Sequence, residues 1–267
     1  MGRREVIQSI WISTLVLFAV QAGVVLGVVI GYEIDVDSYR WLLFVSPLLH
    51  AIVAVTLSGL WRLFRTEDGT PLTNVNVPNF LSMTRLSSSP TLLWLVLIAD
   101  AHPVVPVVVP LTALVFLTDL LDGQISRRTR QVTEIGKYLD SSSDYTLLAV
   151  ISVAMVVYEI IPLWLFLVVL SRLGVQWLAQ AVLFVLRGWT VPFRTSFLGK
   201  ASIFTIMVFY AVALLHLLPN LPEWYSTSVT IGGYITASIA GVSLIEKLVI
   251  FAVDLKNSLD LRTQKRA

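Results

Sequence analysis

The 267 residues contain no cysteine, which excludes a disulfide framework and cysteine-ligated zinc or iron–sulfur sites. Charge is scarce too. Only 13% of the residues are charged, against roughly 25% in an ordinary soluble domain. Apolar residues take their place: 56% of the chain is hydrophobic and the mean hydropathy is +0.81. That is more apolar surface than one core can hide, so the surrounding solvent is largely lipid. A net charge of +2 does not point to nucleic acid, because the basic residues sit in connections and at the C-terminus beside apolar runs.

Runs long enough to cross about 30 Å of hydrocarbon at about 1.5 Å per residue fall at 8–31, 40–61, 79–99, 103–125, 137–160, 162–186, 199–219 and 228–254. The expected fold is an all-α polytopic membrane protein with about eight transmembrane helices. The alternation of a barrel is absent from the sequence, and the first run is too long and lacks the cleavage site of a signal peptide. Basic residues fill every second connection: Arg3 and Arg4, Arg62 and Arg65, Arg127 to Lys137, Arg194 and Lys200, then Lys256 and Arg262. The positive-inside rule makes those segments, and both termini, cytoplasmic in a cytoplasmic (inner) membrane.

The stretch from Arg62 to Pro78 carries Glu67, Asp68, Gly69 and Pro71 and reads as a linker. A boundary is expected near residue 72, with an N-terminal two-helix hairpin and linker over 1–71 and a six-helix domain over 72–267. His50 is the one notable polar residue inside the hairpin and is expected to be packed and hydrogen-bonded. Trp41, Trp61, Trp94, Trp177, Trp189 and Trp224 mostly flank the runs and read as interface anchors. The sequence has no internal repeat.

Four carboxylates stand at membrane depth: Asp119, Asp122, Asp140 and Asp144. Such groups are costly in lipid and are functional candidates for that reason. At about 100° per residue, Asp119, Asp122, Gly123 and Ser126 share one arc of a helix, with Arg127 at its margin. Gly136, Asp140 and Asp144, at intervals of four, form a second stripe. Two helices joined by a loop over 128–135 therefore aim two carboxylates each at a shared cleft. Like charges there must take up protons or bind cations. Oxygen ligands without His or Cys favour Mg²⁺ or Mn²⁺, and four carboxylates suffice to bridge two divalent ions, a device suited to displacement at phosphorus. The cleft is expected at the height of lipid headgroups.

The pattern Asp119-x-x-Asp122-Gly123-x-x-Ser126-Arg127, eight residues, then Gly136-x-x-x-Asp140-x-x-x-Asp144 resembles the signature of the CDP-alcohol phosphatidyltransferases, differing only in Ser126, where the family has alanine. Pro78-Asn79-Phe80-Leu81-Ser82-Met83-Thr84-Arg85 with Pro90 resembles the family's opening segment, and Val191-Pro192 with Gly199-Lys200 resembles the stretch before its fifth helix. The similarity covers roughly residues 75–255, six helices. The resemblance implies an enzyme of phospholipid biosynthesis that transfers the phosphatidyl group of CDP-diacylglycerol to an alcohol and releases CMP. It implies that Asp119, Asp122, Asp140 and Asp144 hold two divalent cations, Mg²⁺ or Mn²⁺, with Asp144 also the general base. Asn79, Ser82, Asp122, Gly123, Ser126, Arg127 and Gly136 would meet the donor nucleotide.

Arg172 lies about ten residues from the outer end of its run, too deep to snorkel easily, and the resemblance implies that it faces the acceptor. Arg194 and Lys200 are further acceptor candidates because their charges suit a phosphorylated alcohol, Lys200 reading equally as a positive-inside anchor at a helix start. Within the family the Val-Pro to Gly-Lys stretch is most like phosphatidylglycerophosphate synthases, which makes glycerol 3-phosphate the first choice of acceptor. Inositol phosphate is the runner-up, followed by serine, choline or a non-lipid CDP-alcohol donor. The resemblance leaves room for a homodimer. A different class, a cation transporter using the same carboxylates, predicts acids nearer the midplane and broken helices in repeated halves, and the sequence has neither.

Overall fold

The computed structural model describes residues 2–129, 131–186, 196–213, 215, 221 and 223–264, with side chains throughout these except at 116, 119, 120, 127, 184–186 and 259–264. Arg194 and Trp189 lie outside the described residues. The described chain is helical: α1 (Gly2–Gly31), the short α2 (Val36–Tyr39), α3 (Leu42–Gly59), α4 (Val77–Ile98), α5 (Val105–Thr129), α6 (Glu134–Val157), α7 (Leu163–Leu186), α8 (Phe197–Ala213) and α9 (Trp224–Gln264). Each of the eight expected runs overlaps one of these helices, the end of the 199–219 run lying outside the described residues.

Six segments are long and apolar enough to cross a membrane, namely Gly2–Gly31, Val36–Gly59, Val77–Ile98, Glu134–Val157, Leu163–Leu183 and Trp224–Ser258. Two more, Val105–Val115 and Phe197–Ala213, are apolar but shorter. The protein is an integral membrane protein. Several helices run past the apolar stretch that marks them in the sequence, α5 reaching Thr129 and α9 Gln264.

Two compact units make up the chain, Met1–Val150 and Ile151–Ala267, the division falling within α6. In the first, α1, α3 and α4 pack against one another and α5 packs on α4. Lipid offers no hydrogen bonds, so polar side chains between these helices pair with each other. Gln21 Nε2 of α1 donates to Ser88 Oγ of α4 at 2.9 Å. His50 of α3 bonds the Ser46 carbonyl through Nδ1 and pairs through Nε2 with Ser87 Oγ of α4, the packed and bonded state expected of it. In the second unit α9 packs against both α7 and α8, and Tyr225 Oη donates to the Ala213 carbonyl at 2.8 Å.

Trp94 departs from expectation. Far from anchoring an interface, it is fully buried among Val28, Ile34, Leu42, Leu95 and Val104, and its Nε1 donates to the Ser38 carbonyl at 3.1 Å. Its position near one end of an apolar run gave the wrong reading because that end is covered by the α1–α3 connection. The expected linker has structure of its own. Thr66 N donates to the Thr70 carbonyl at 3.0 Å across a turn with Gly69 at φ +83°, the left-handed region that suits glycine. Arg65 pairs with Glu134 at 2.9 Å and Lys137 with Glu67 at 2.7 Å, so the linker is docked on the first turn of α6.

Trp94→Ala is expected to lower stability in detergent by about 3–5 kcal/mol. Trp94→Phe, which keeps a ring and loses the bond to Ser38, should cost about 1 kcal/mol. Thermal unfolding of both variants checks this, and equal losses would mean that the indole N–H contributes more than the packing.

Candidate active site

The site is assembled where α4, α5 and α6 begin or end. Asn76 caps α4, its side chain accepting from Asn79 N at 3.2 Å, and Pro78 stands in the first turn, as helix starts favour. Asn79, Ser82 and Arg85 then recur at steps of three along one side of α4. The second half of the signature starts α6 the same way. Thr133 Oγ1 accepts from Gly136 N at 3.0 Å and donates to Asn79 Oδ1 at 3.0 Å, tying the start of α6 to the start of α4. The α5–α6 connection is consequently shorter than the expected 128–135, with α5 running to Thr129 and α6 starting at Glu134.

A cavity of about 590 Å³ opens here, lined by Asn79, Ser82, Asp122, Gly123, Ser126, Gly136, Asp140 and Asp144, and also by Gln124, Gln131, Thr133 and Lys137. Its size falls within the roughly 300–1,000 Å³ of small-molecule sites. Eight residues singled out in the sequence thus share one wall. Asp119 and Arg127 lie on α5, with side chains outside those described, and Arg194 is outside the described residues altogether. Arg172 and Lys200 belong to the second unit. There Arg172 is fully buried and its Nη2 donates to the Gly199 carbonyl at 3.0 Å, while Lys200 is exposed in the first turn of α8. Lys247 is buried over the same turn: a Cβ on Gly199 would lie 3.1 Å from its Cε. Its neighbour Glu246 accepts from Ser196 Oγ at 2.8 Å.

The carboxylates are organised by a residue to which the sequence reading gave no role. Arg85 is fully buried. Its Nη2 donates to Asp122 Oδ2 at 2.8 Å and Asp140 Oδ1 at 2.9 Å, and its Nη1 stands 3.2 Å from Asp144 Oδ1. Ser82 Oγ adds a bond to Asp122 Oδ2 at 2.9 Å. Asp122 is nearly buried, Asp144 about a third exposed and Asp140 about half exposed, so the cluster runs from the helix interface to the cavity mouth. The position of Arg85 in the opening segment was visible in the sequence, but its carboxylate partners are 37 or more residues away and no local spacing reveals them.

Among the described residues no three His, Cys, Asp or Glu side chains surround a common point as a metal site does, because these carboxylates face the guanidinium. The donor chemistry nevertheless fits hard divalent cations. All the groups are oxygens, they come from two helices, and they border a cavity open to solvent. Asn79 offers a second feature for a ligand: its side chain is buried and Nδ2 has no hydrogen-bond partner among the described residues.

Gly136 is required by close approach. A Cβ there would lie 2.8 Å from both Asn79 Oδ1 and Thr133 Oγ1, atoms already fixed by their mutual bond. Gly136→Ala is therefore expected to destabilise the protein by about 1–3 kcal/mol, although alanine is the better helix former by about 1 kcal/mol. An unchanged or raised melting temperature would show that the start of α6 is not held in this way.

Comparison with known proteins agrees with this geometry. A family model described as CDP-alcohol phosphatidyltransferase matches residues 75–243. Cardiolipin synthase (CMP-forming) of Streptomyces coelicolor is 33% identical over 173 residues, 60% of this chain and 73% of the relative. CDP-diacylglycerol–glycerol-3-phosphate 3-phosphatidyltransferase of Bacillus subtilis is 26% identical over 155 residues, 54% of this chain and 79% of the relative. The protein of the same description from Aquifex aeolicus is 28% identical over 182 residues, 65% of this chain and 99% of the relative. No solved structure matches the chain. With more than half of its length under the family model, signature and cavity included, the chain belongs to the CDP-alcohol phosphatidyltransferase family.

Proposed function

We propose that this protein transfers the phosphatidyl group of CDP-diacylglycerol to a hydroxyl of a glycerol phosphate, releasing CMP. The observation that carries the reading is the convergence of Asp122, Asp140 and Asp144 on one cavity wall, at the spacing the family shares, with Asp119 on the same helix as Asp122. Residues 72–267 are the catalytic domain in this reading and the N-terminal hairpin is an addition to it. The charge pattern of the connections supports a site and termini on the cytoplasmic side of the inner membrane.

The nucleotide of the donor is received by Asn79, Ser82, Gly123, Ser126, Arg127 and Gly136, and the buried amide of Asn79 has a donor to offer a base or sugar. Asp119, Asp122, Asp140 and Asp144 would hold Mg²⁺ or Mn²⁺, which when bound supplies the positive charge that lets a diphosphate approach carboxylates. Asp144 takes the proton of the acceptor hydroxyl as its oxygen bonds to the phosphatidyl phosphorus. The bond from that phosphorus to the CMP oxygen breaks, and CMP leaves with the electron pair. Arg172 is assigned to the acceptor on the resemblance, and Arg194 and Lys200 join it, since guanidinium and ammonium groups suit any phosphorylated alcohol.

Glycerol 3-phosphate is the first acceptor in this reading. A second reading is favoured by the identity of 33% to a relative named cardiolipin synthase. Forming cardiolipin from a phosphatidyl donor needs an acceptor hydroxyl on phosphatidylglycerol, so the glycerol phosphate would then arrive from the bilayer.

Purified protein supplied with labelled CDP-diacylglycerol and, separately, glycerol 3-phosphate, phosphatidylglycerol, inositol phosphate and serine decides between them, reading lipid product and CMP. Product from glycerol 3-phosphate supports the first reading, product from phosphatidylglycerol the second, and CMP release with none of the four sinks the proposal. Excess chelator is expected to stop CMP release with either acceptor. Asp144→Asn should lower kcat by on the order of 10²–10⁴-fold while donor binding persists. Near-native turnover in that variant would move the base elsewhere.

A further inference from the structure

The guanidinium of Arg85 stands where the charge of the site has to be balanced. It is fully buried on α4, and its two terminal nitrogens reach Asp122 of α5 and Asp140 and Asp144 of α6 within 2.8–3.2 Å. Among the described residues no other cation pairs with these three. Three carboxylates against one guanidinium leave the cluster with an excess of negative charge, which a divalent cation would offset. The contacts engage one oxygen of each carboxylate and leave a second oxygen on each, and Asp140 and Asp144 retain solvent access.

We propose that Arg85 is the resident counter-ion of the carboxylate cluster, a positioning residue that holds the three aspartates together when divalent cations are absent and yields part of that role when they bind. The inference rests on the metal-dependent reading above. Its physical basis is that carboxylates gathered in low dielectric repel one another and do not stay assembled without a cation. A buried arginine, always charged and forked, supplies one permanently. Because guanidinium and divalent ion are attracted by the same three carboxylates, Arg85 preassembles the site and at the same time opposes the ion, so that removing the arginine should make the metal-free protein weaker and the ion more tightly held.

The test uses the full chain in detergent with Mn²⁺ as the probe. Arg85→Gln is expected to lower the melting temperature in EDTA by on the order of 10 °C, and saturating Mn²⁺ should recover most of that loss. Linkage then requires the variant to bind Mn²⁺ more tightly than the parent, about tenfold, read by electron paramagnetic resonance titration of free Mn²⁺. The double variant Arg85→Gln/Asp140→Asn, which removes one charge of each sign, should melt in EDTA closer to the parent than Arg85→Gln does.

An equal loss of melting temperature with and without Mn²⁺ would make Arg85 an ordinary structural bridge and overturn the proposal. So would an unchanged melting temperature combined with a weakened affinity for CDP-diacylglycerol, which would make it a ligand of the donor. Should Arg85→Gln fail to fold, Arg85→Lys keeps a charge without the fork and must show a smaller loss with the same Mn²⁺ recovery, and lack of recovery refutes the idea. Mn²⁺ that neither binds nor stabilises parent or variant would instead sink the metal assignment, and the EDTA comparison of single and double variants still judges Arg85.

Discussion

A buried guanidinium is the constraint on which the first unit depends. Arg85 is out of contact with solvent on a helix that is itself apolar enough to cross a bilayer. A charge in that position is tolerated only when paired and hydrogen-bonded. The pairing comes from two other helices, so α4, α5 and α6 are held in one mutual register by the same contacts that gather the carboxylates. The chemistry and the packing of this part of the protein are one set of interactions.

Around that centre the supports are polar and short. Asn76 and Thr133 cap the two helices that open the site, and Thr133 also bonds Asn79. The linker turn is tied to the first turn of α6 by Arg65 with Glu134 and Glu67 with Lys137. Exposed pairs of this kind contribute little to stability one by one, but two of them on one turn, beside the Arg65 carbonyl that accepts from Glu134 N, fix where α6 starts. The N-terminal hairpin reaches the same machinery from the other side. Gln21 and His50 bond Ser88 and Ser87, three and two residues from Arg85 on α4, so the hairpin braces the helix that carries the counter-ion.

The relatives carry two names, cardiolipin synthase and a glycerol-3-phosphate 3-phosphatidyltransferase, and in the proposed reading the residues divide between donor and acceptor. Everything assigned to the donor lies on α4, α5 and α6 in the first unit. The basic residues assigned to the acceptor come later in the chain, where Arg172 and Lys247 are both buried near the first turn of α8 at Gly199. A phosphomonoester on a soluble alcohol carries roughly 1.5–2 negative charges near neutral pH and the phosphodiester of a lipid carries one, so both are attracted to such groups, the soluble one more strongly. They differ also in the acyl chains, which interact with apolar surface and leave no motif.

Much was legible from the sequence because it depends on local periodicity and composition. The membrane class follows from the balance of apolar and charged residues, and the helices from the length of the runs. The common face of Asp122, Gly123 and Ser126, and that of Gly136, Asp140 and Asp144, follow from the helical repeat. Tertiary structure decided what depends on distances between helices. The partners of Arg85, the double use of Thr133, the burial of Trp94 under the α1–α3 connection and the docking of the linker on α6 all join residues far apart in the chain. A charge in a sequence shows that a partner must exist in lipid, since leaving it bare is too costly, but only the packing of the helices determines which residue that partner is.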